Sequence, residues 1–445
     1  MHRTIIDNVA REFELPLARL RLIRQAVGAE MDAGLAGRKS SIAMLPAYCD
    51  AATGREKGHY LALDLGGTNF RVSMVRLPGA GKPPCVVAEA KYRLTREQIS
   101  GSGTVLFDAI AGYLGKFLKD NRFTAPCELG YTFSFPVRLL GIAEGILLKW
   151  TKDFSAKGVV GRKIVTLQRQ ALTRKGITNV AITALANDTV GTLQARAVLD
   201  PDCAVGVILG TGFNIAIRVP ARRIRKDTGD YSGASMIINM EAGGFGKALP
   251  RTRFDRQLDR ATGNPGHQFA EKMISGKYLP QLVQGVMLEA IRKHRLFGGQ
   301  APEVFARQAA FGGQHMDAFI AGSRTGIAAV ARDLFGEPLP AAERRALVKV
   351  CRIVSRRSAR LAAALIVGSL SRAEFRSARR VTVAVDGSLF EKSPGYARLL
   401  KAALRELDGA NGRRIRLVLT KDGSGIGAAV IASVAGTNAG HQGRA

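Results

Sequence analysis

The chain predicts an α/β protein made of two related halves, and three observations support this. Residues 61–71 run Leu-Ala-Leu-Asp-Leu-Gly-Gly-Thr-Asn-Phe-Arg, an apolar strand entering a turn at Gly66 and Gly67, with a second strand implied by Val72 to Leu77. A similar device recurs at residues 204–219, where Gly210, Thr211 and Gly212 punctuate two apolar runs. Each unit is followed by further strand and helix signals, which suggests a repeated α/β layout. Finally, 445 residues with 46% hydrophobic content are enough to bury two substantial cores.

The turns suggest what lies between the halves. Adjacent glycines allow positive φ and let backbone N–H groups approach an anion, while Thr68 and Asn69 add side-chain donors. A single Gly-rich turn is also an ordinary hairpin. Two of them, one per half, suit a nucleotide held between phosphate-binding turns, which is the layout of the actin-like ATPase and sugar-kinase fold, related to ribonuclease H. The chain has no Gly-x-x-x-x-Gly-Lys-Ser/Thr loop and no Gly-x-Gly-x-x-Gly between a first strand and helix, which argues against P-loop and Rossmann folds.

Polar residues suited to a polyol lie between and beyond the turns. Glu128 to Phe135 reads as a strand, and Pro136 keeps the preceding residue extended, so Ser134 is presented at a strand end. Gly145 to Lys152 reads as a second strand finishing in Trp150, Thr151 and Lys152. There the only tryptophan would form an apolar plate beside a hydroxyl and an ammonium, unless it is simply a core residue. After a helix around Gly161 to Thr173, the strand Val180 to Leu185 leads into Asn187 and Asp188, which open another helix. Asp188 suits a helix N-cap and equally a catalytic carboxylate. Loose phosphoryl transfer makes little early demand for proton removal, so a well-placed weak base suffices. Asn239, Glu241 and Glu271 complete the set, since carboxylates accept vicinal hydroxyls in strong charge-assisted bonds. Glu271 beside Lys272 also reads as a solvated helix charge.

Bulk properties narrow the function class. The most apolar stretch, Leu361 to Leu370, lies between Arg360 and Arg372 and is far shorter than the roughly 20 residues a bilayer requires. Ile5 to Leu15 carries Asp7, Glu12 and Glu14 in a helical pattern, unlike a secretory signal. Five scattered cysteines without metal-ligand spacing predict reduced thiols and a cytoplasmic location. The 66 Lys plus Arg against 36 Asp plus Glu give a formal charge of +30, a surface that attracts polyanions. The cations are spread along the whole chain, clusters such as Arg222, Arg223, Arg225 and Lys226 included. Aromatics are only 6% and no nucleic-acid-binding motif accompanies the charge, so a solvated basic surface is the expectation.

Taken together, these motifs resemble the hexokinase family of eukaryotes and some bacteria. The resemblance rests on Leu61 to Arg71, Phe133-Ser134-Phe135-Pro136, Trp150-Thr151-Lys152, Asn187 to Thr192 and Gly210-Thr211-Gly212. It continues through Asn239 to Gly246, Asn264-Pro265-Gly266 with Glu271, Val385-Asp386-Gly387-Ser388 and Gly423-Ser424-Gly425. Their order and spacing match from about Gly37 to Val434, implying one full hexokinase unit in sequence halves of about 1–197 and 203–435. The resemblance implies phosphorylation of a hexose 6-hydroxyl by Mg-ATP for glycolysis, with glucose the foremost acceptor.

The resemblance also assigns residues. Asp188 would be the base, and Lys152 would neutralise charge at the transferred group. Ser134, Thr151, Lys152, Asn187, Asp188, Asn239, Glu241 and Glu271 would hold the sugar. Asp64, Gly66, Gly67, Thr68, Asn69 and Arg71 would surround the phosphates, with Asp64 reaching magnesium through water and no direct protein ligand to the metal. Thr211, Gly212, Gly387, Ser388 and Ser424 would complete the nucleotide site. The implied domains are a small one, 58–188 plus 425–440, and a large one, 1–57 plus 189–424, closing on the sugar. Asp153 stands where the family usually has glycine, and Arg138, Leu139 and Gly141 replace polar residues, changes that bear on sugar preference. A catalytically weak sugar sensor and a polyanion-binding protein are the alternative readings.

Overall fold

The computed structural model describes residues 2–151, 153–229, 231–294, 296–373, 380–409 and 414–442. Its strands are β1 (Leu45–Pro46), β2 (Lys57–Leu65), β3 (Asn69–Pro78), β4 (Cys85–Arg93), β5 (Cys127–Phe133), β6 (Val137–Gly141) and β7 (Glu144–Leu147). They continue with β8 (Val180–Ala186), β9 (Cys203–Leu209), β10 (Phe213–Pro220), β11 (Ser235–Asn239), β12 (Val381–Asp386) and β13 (Ile415–Leu419).

The duplication read from the two Gly-rich turns is visible in the strand order. One sheet runs β4-β3-β2-β5-β8, the other β1-β11-β10-β9-β12-β13. In each, an antiparallel meander (β2-β3-β4 or β9-β10-β11) is extended by two parallel strands (β5 and β8, or β12 and β13). The innermost strands are near-continuous apolar runs, with Leu61, Ala62, Leu63 and Leu65 of β2 all at most 1% exposed, because both faces of each sheet are covered. The two glycine turns join the first two strands of each meander and so occupy equivalent places in the two halves.

Two helices fill the space between the sheets. The helix Asp188–Ala197 packs on β9, and the C-terminal helix Gly423–Gln442 packs on β2, β5 and β8 and on the Asp188–Ala197 helix. The core they share is rich in small residues, including Ala62, Ala184, Ala186, Ala216, Ala384 and Ala428. Small side chains permit close approach: a Cβ on Gly130 of β5 would lie 1.9 Å from the Ala428 carbonyl oxygen. Bulkier cores flank this layer. Phe70, Phe107, Phe117, Tyr131 and Phe133 pack outside the smaller sheet, and the long helix Ala341–Leu370 packs outside the larger one. The apolar Leu361 to Leu370 segment is the buried end of that helix. All five cysteines are free thiols, and no helix among the described residues is long and apolar enough to cross a membrane.

Two local expectations are corrected. The strand expected over Gly145 to Lys152 stops at Leu147, where Gly161 N–H bonds to the Leu147 carbonyl and Leu148 N–H bonds to Pro136. The helix expected from Gly161 starts at Ile164, since Gly161 itself has φ of 80°.

Candidate active site

Asp188 is the first residue of its helix, delivered by β8. Asn187 is the N-cap, its side-chain oxygen accepting the Thr189 N–H at 2.9 Å. Asp188 Oδ1 also accepts the Thr189 N–H at 2.8 Å and the Thr189 hydroxyl at 3.2 Å. The N-cap role expected of Asp188 therefore falls to Asn187, and Asp188 is the first helical residue. One oxygen anchors the helix start, and Oδ2 has no hydrogen-bond partner among the described residues.

β11 ends in Asn239, whose Nδ2 donates to Glu241 Oε1 at 2.8 Å. Asn239 Oδ1 accepts from Asn214 Nδ2 at 2.8 Å, while Asn214 Oδ1 accepts the Ile215 and Ala242 N–H groups at 2.7 and 3.0 Å. Glu241 sits at φ 55°, in the left-handed region, so its backbone is held against its own preference by this network. From the short helix Phe269–Ile274, Glu271 Oε2 accepts the Phe213 N–H at 3.2 Å. A Cβ at Gly212 would meet that oxygen at 3.0 Å, so glycine leaves Glu271 its place.

The titration of Glu241 reports the company it keeps. Burial pushes it above the usual carboxylate range, the Asn239 bond works against this, and the negative charges of Asp188 and Glu271 push it further up, with Lys149 opposing. Glu241 thus lies within electrostatic reach of Asp188 and Glu271, carboxylates contributed by two other elements.

The phosphate-type turns lie at the ends of the central strands. Gly66 and Gly67 do not adopt the positive φ expected of them. A Cβ at either would meet nothing within 4 Å, so these glycines keep the space in front of the turn empty rather than shaping the turn itself. Thr68 is half-buried, with its carbonyl accepting Leu94 N–H at 2.8 Å, and Asn69 is exposed at the start of β3. Arg71 pairs with Asp422 at 2.6 Å and Glu89 at 3.3 Å. Ser424 donates to Asp64 Oδ2 at 2.6 Å, and its carbonyl accepts the Thr132 hydroxyl at 2.9 Å, tying the start of the C-terminal helix to β2 and β5.

On the other half, Thr211 is exposed at the tip of the β9–β10 turn and Ser388 is exposed at the first position of the helix Ser388–Lys392. Gly387 (φ 122°) lies so close to the β9 end that a Cβ there would meet the Leu209 carbonyl at 2.5 Å. Beside it, Asp386 accepts the Gly423 N–H at 3.1 Å. Burial pushes Asp386 up to about 6 against its bonds to the Gly423 and Gly387 amides, with the charges of Asp422 and Asp188 adding to the rise.

Ser134 is 7% exposed just past β5, its N–H bonding to the Leu65 carbonyl at 3.1 Å. Thr151 is half-buried, and its carbonyl receives the Phe154 N–H at 3.2 Å. Lys152 lies outside the described residues. Trp150 is not the free apolar plate that its neighbours suggested. It packs against Phe133, Phe135 and Phe154, and its indole N–H bonds to the Ala156 carbonyl at 2.9 Å. Asn214, Lys149, Asp386 and Asp422 escaped sequence reasoning. Of these, only Asp386, next to Gly387 and Ser388 in a motif already singled out, carried a signal.

Comparison with known proteins points to the hexokinase family. Its two profiles, both described as hexokinase, match residues 5–198 and 204–434. Hexokinase-7 of Oryza sativa subsp. japonica is 38% identical, covering 96% of this chain and 96% of its own length. Hexokinase-3 of Mus musculus is 36% identical over 98% of this chain, which spans 47% of that longer protein. A solved hexokinase from Schistosoma mansoni, complexed with glucose, superposes with a TM-score of 0.87 at 35% identity over 97% of this chain and 99% of that one. The chain therefore belongs to the hexokinase family and is a phosphotransferase of the hexokinase type on the actin-like ATPase fold.

Proposed function

We propose that the protein transfers the γ-phosphoryl group of Mg-ATP to the 6-hydroxyl of a hexose, with D-glucose the foremost acceptor, and feeds glycolysis in the cytoplasm. The observation that carries this reading is the convergence of Asp188, Glu241 and Glu271 from three elements, with the Asp64 turn bound to the start of the C-terminal helix through Ser424. A sugar offers hydroxyl donors to such a carboxylate cluster, and glucose in the Schistosoma mansoni structure supports the choice of hexose.

Each residue then has a task. Glu241, Glu271 and Asn239 accept and donate to ring hydroxyls, joined by Ser134, Asn187, Thr151 and Lys152. Asp188 takes the 6-hydroxyl proton on Oδ2 as the oxygen attacks phosphorus, and the P–O bond to ADP breaks. The empty space before Gly66 and Gly67 admits the phosphates to within reach of backbone N–H groups, Thr68 and Asn69. Thr211, Gly212, Gly387 and Ser388 face the nucleotide from the other half. Magnesium enters as part of the nucleotide substrate. Asp64 would contribute a single carboxylate through the ion's water shell. Arg71, now paired with Asp422, turns to the phosphates when ATP arrives.

The division into a small domain, 58–188 plus 425–440, and a large one, 1–57 plus 189–424, belongs to this proposal. Closure on the sugar would exclude water, the competing acceptor. The test is a panel of hexoses with Mg-ATP, following ADP and sugar phosphate together. Equal formation of both with glucose, and with few other hexoses, supports the reading. Sugar binding without turnover on any hexose would replace it with a sugar sensor.

A further inference from the structure

Away from the carboxylate cluster, the larger half carries a trough of about 1090 Å³ between the helices Arg324–Phe335 and Ala341–Leu370. None of its lining residues belongs to the candidate active site. Its floor is apolar, made by Ile327, Ala331, Leu339, Val348 and Ile353. Its walls are cationic. Arg324 and Arg332 stand on one helix, and Arg345, Lys349, Arg352 and Arg356 stand on the other at spacings of four, three and four residues, which places them in one row along a single helix face. Arg344 adds a further guanidinium, and Glu337 is the only carboxylate in the lining. Among the described residues, Lys349 alone of these cations is neutralised, by Asp7 at 2.6 Å.

We propose that this trough binds a free single-chain amphiphile bearing a phosphate head. The two features select it jointly. Exposed arginines on facing walls match the multiple oxygens of a phosphate, which guanidinium groups bind bidentately. An apolar floor gains nothing from polyphosphate or nucleic acid, which would engage the walls alone, but it takes the apolar surface of an acyl chain out of water. The volume suits one ligand of that size rather than a macromolecule.

The test uses the whole protein and four probes, followed by isothermal titration at physiological salt. They are oleoyl lysophosphatidate kept below its micellar concentration, uncharged mono-oleoyl glycerol, inorganic tripolyphosphate and phosphatidate vesicles. Saturable one-to-one binding of lysophosphatidate, at least tenfold tighter than the glycerol lipid and tripolyphosphate, is expected. The exposed double variant Arg345→Glu/Arg352→Glu should weaken it at least tenfold at unchanged melting temperature, and Val348→Asp should weaken it through the floor. Tripolyphosphate binding as tightly would show a plain polyanion surface and overturn the proposal, as would binding to vesicles alone. Lysophosphatidate binding that both variants leave intact, or none at all, would equally overturn it. Hexose phosphorylation in the double variant serves as the fold control and should equal that of the unaltered protein, so failure here is distinguishable from failure of the kinase reading.

Discussion

Gly427 of the C-terminal helix lies against Gly191 of the Asp188 helix so closely that a Cβ at 427 would come within 2.0 Å of the Gly191 carbonyl oxygen. The two helices bring Ser424 and Asp188 to the site from their first turns, so their separation is a functional dimension. Gly427→Ala should force them apart, cost about 1–3 kcal/mol of stability as overpacking does, and lower kcat by displacing Asp188. Gly425→Ala is the control. A Cβ there meets nothing within 4 Å, and helix propensity predicts a gain of roughly 0.5–1 kcal/mol. Urea denaturation of both variants checks the pair.

Glu271 accepts the Phe213 N–H and packs over Gly212, so Glu271→Gln can keep the backbone bond through its amide oxygen while losing charge. The expected result is a rise in sugar KM of about tenfold or more, the scale of losing a charge-assisted bond, with the KM for ATP little changed. Steady-state kinetics with each substrate varied in turn separates the two.

Asp386 sets a pH dependence. Its carboxyl is pushed up to about 6 in the folded protein, against roughly 3.9 in an unfolded chain. Between those values the native state binds the proton more tightly than the unfolded state, so Asp386 makes stability fall as pH rises from 4 to 6. Well above pH 6 the penalty is complete, on the order of 3 kcal/mol. Asp386→Asn keeps an acceptor for the Gly423 N–H and removes the charge. It should stabilise the protein at pH 8 and reduce the fall between pH 4 and 6, as measured by denaturation across that range.

Asp153 stands at φ 67° where the family usually has glycine. The backbone there asks for a residue without a Cβ, and aspartate tolerates the left-handed region at a cost. Asp153→Gly should therefore raise the melting temperature slightly, by the equivalent of about 0.5–1 kcal/mol. Thermal unfolding checks it, and sugar KM measured alongside shows whether the departure also tunes the acceptor.

The sequence reading succeeded where chemistry and periodicity coincide. The Gly66–Gly67 and Gly210–Gly212 turns revealed two equivalent halves because each interrupts long apolar runs. Asp188, Asn239, Glu241 and Glu271, singled out as types suited to a polyol, do lie near one another: Asn239 bonds to Glu241, which feels the charges of the other two. What it missed depends on distant contacts. Trp150 beside Thr151 resembled a sugar plate, yet Phe133, Phe135 and Phe154 claim its ring. Asn214 is an unremarkable strand residue until Asn239 and Ala242 come within its reach. Asp422 gains meaning only when Arg71, far away in the chain, is found 2.6 Å from it. The Gly66 and Gly67 turn was recognised for the wrong reason: these glycines clear space rather than take positive φ.

The central claim is that Asp188 removes the proton from the attacking hydroxyl, and single-turnover phosphorylation of glucose by Asp188→Asn tests it most directly. The substitution is nearly isosteric and leaves an oxygen to cap Thr189. The account predicts glucose affinity within about threefold of the unaltered protein and phosphoryl transfer slowed by roughly 10²–10⁴, the range of general-base loss. Transfer at an unchanged rate, with glucose bound as before, would contradict it.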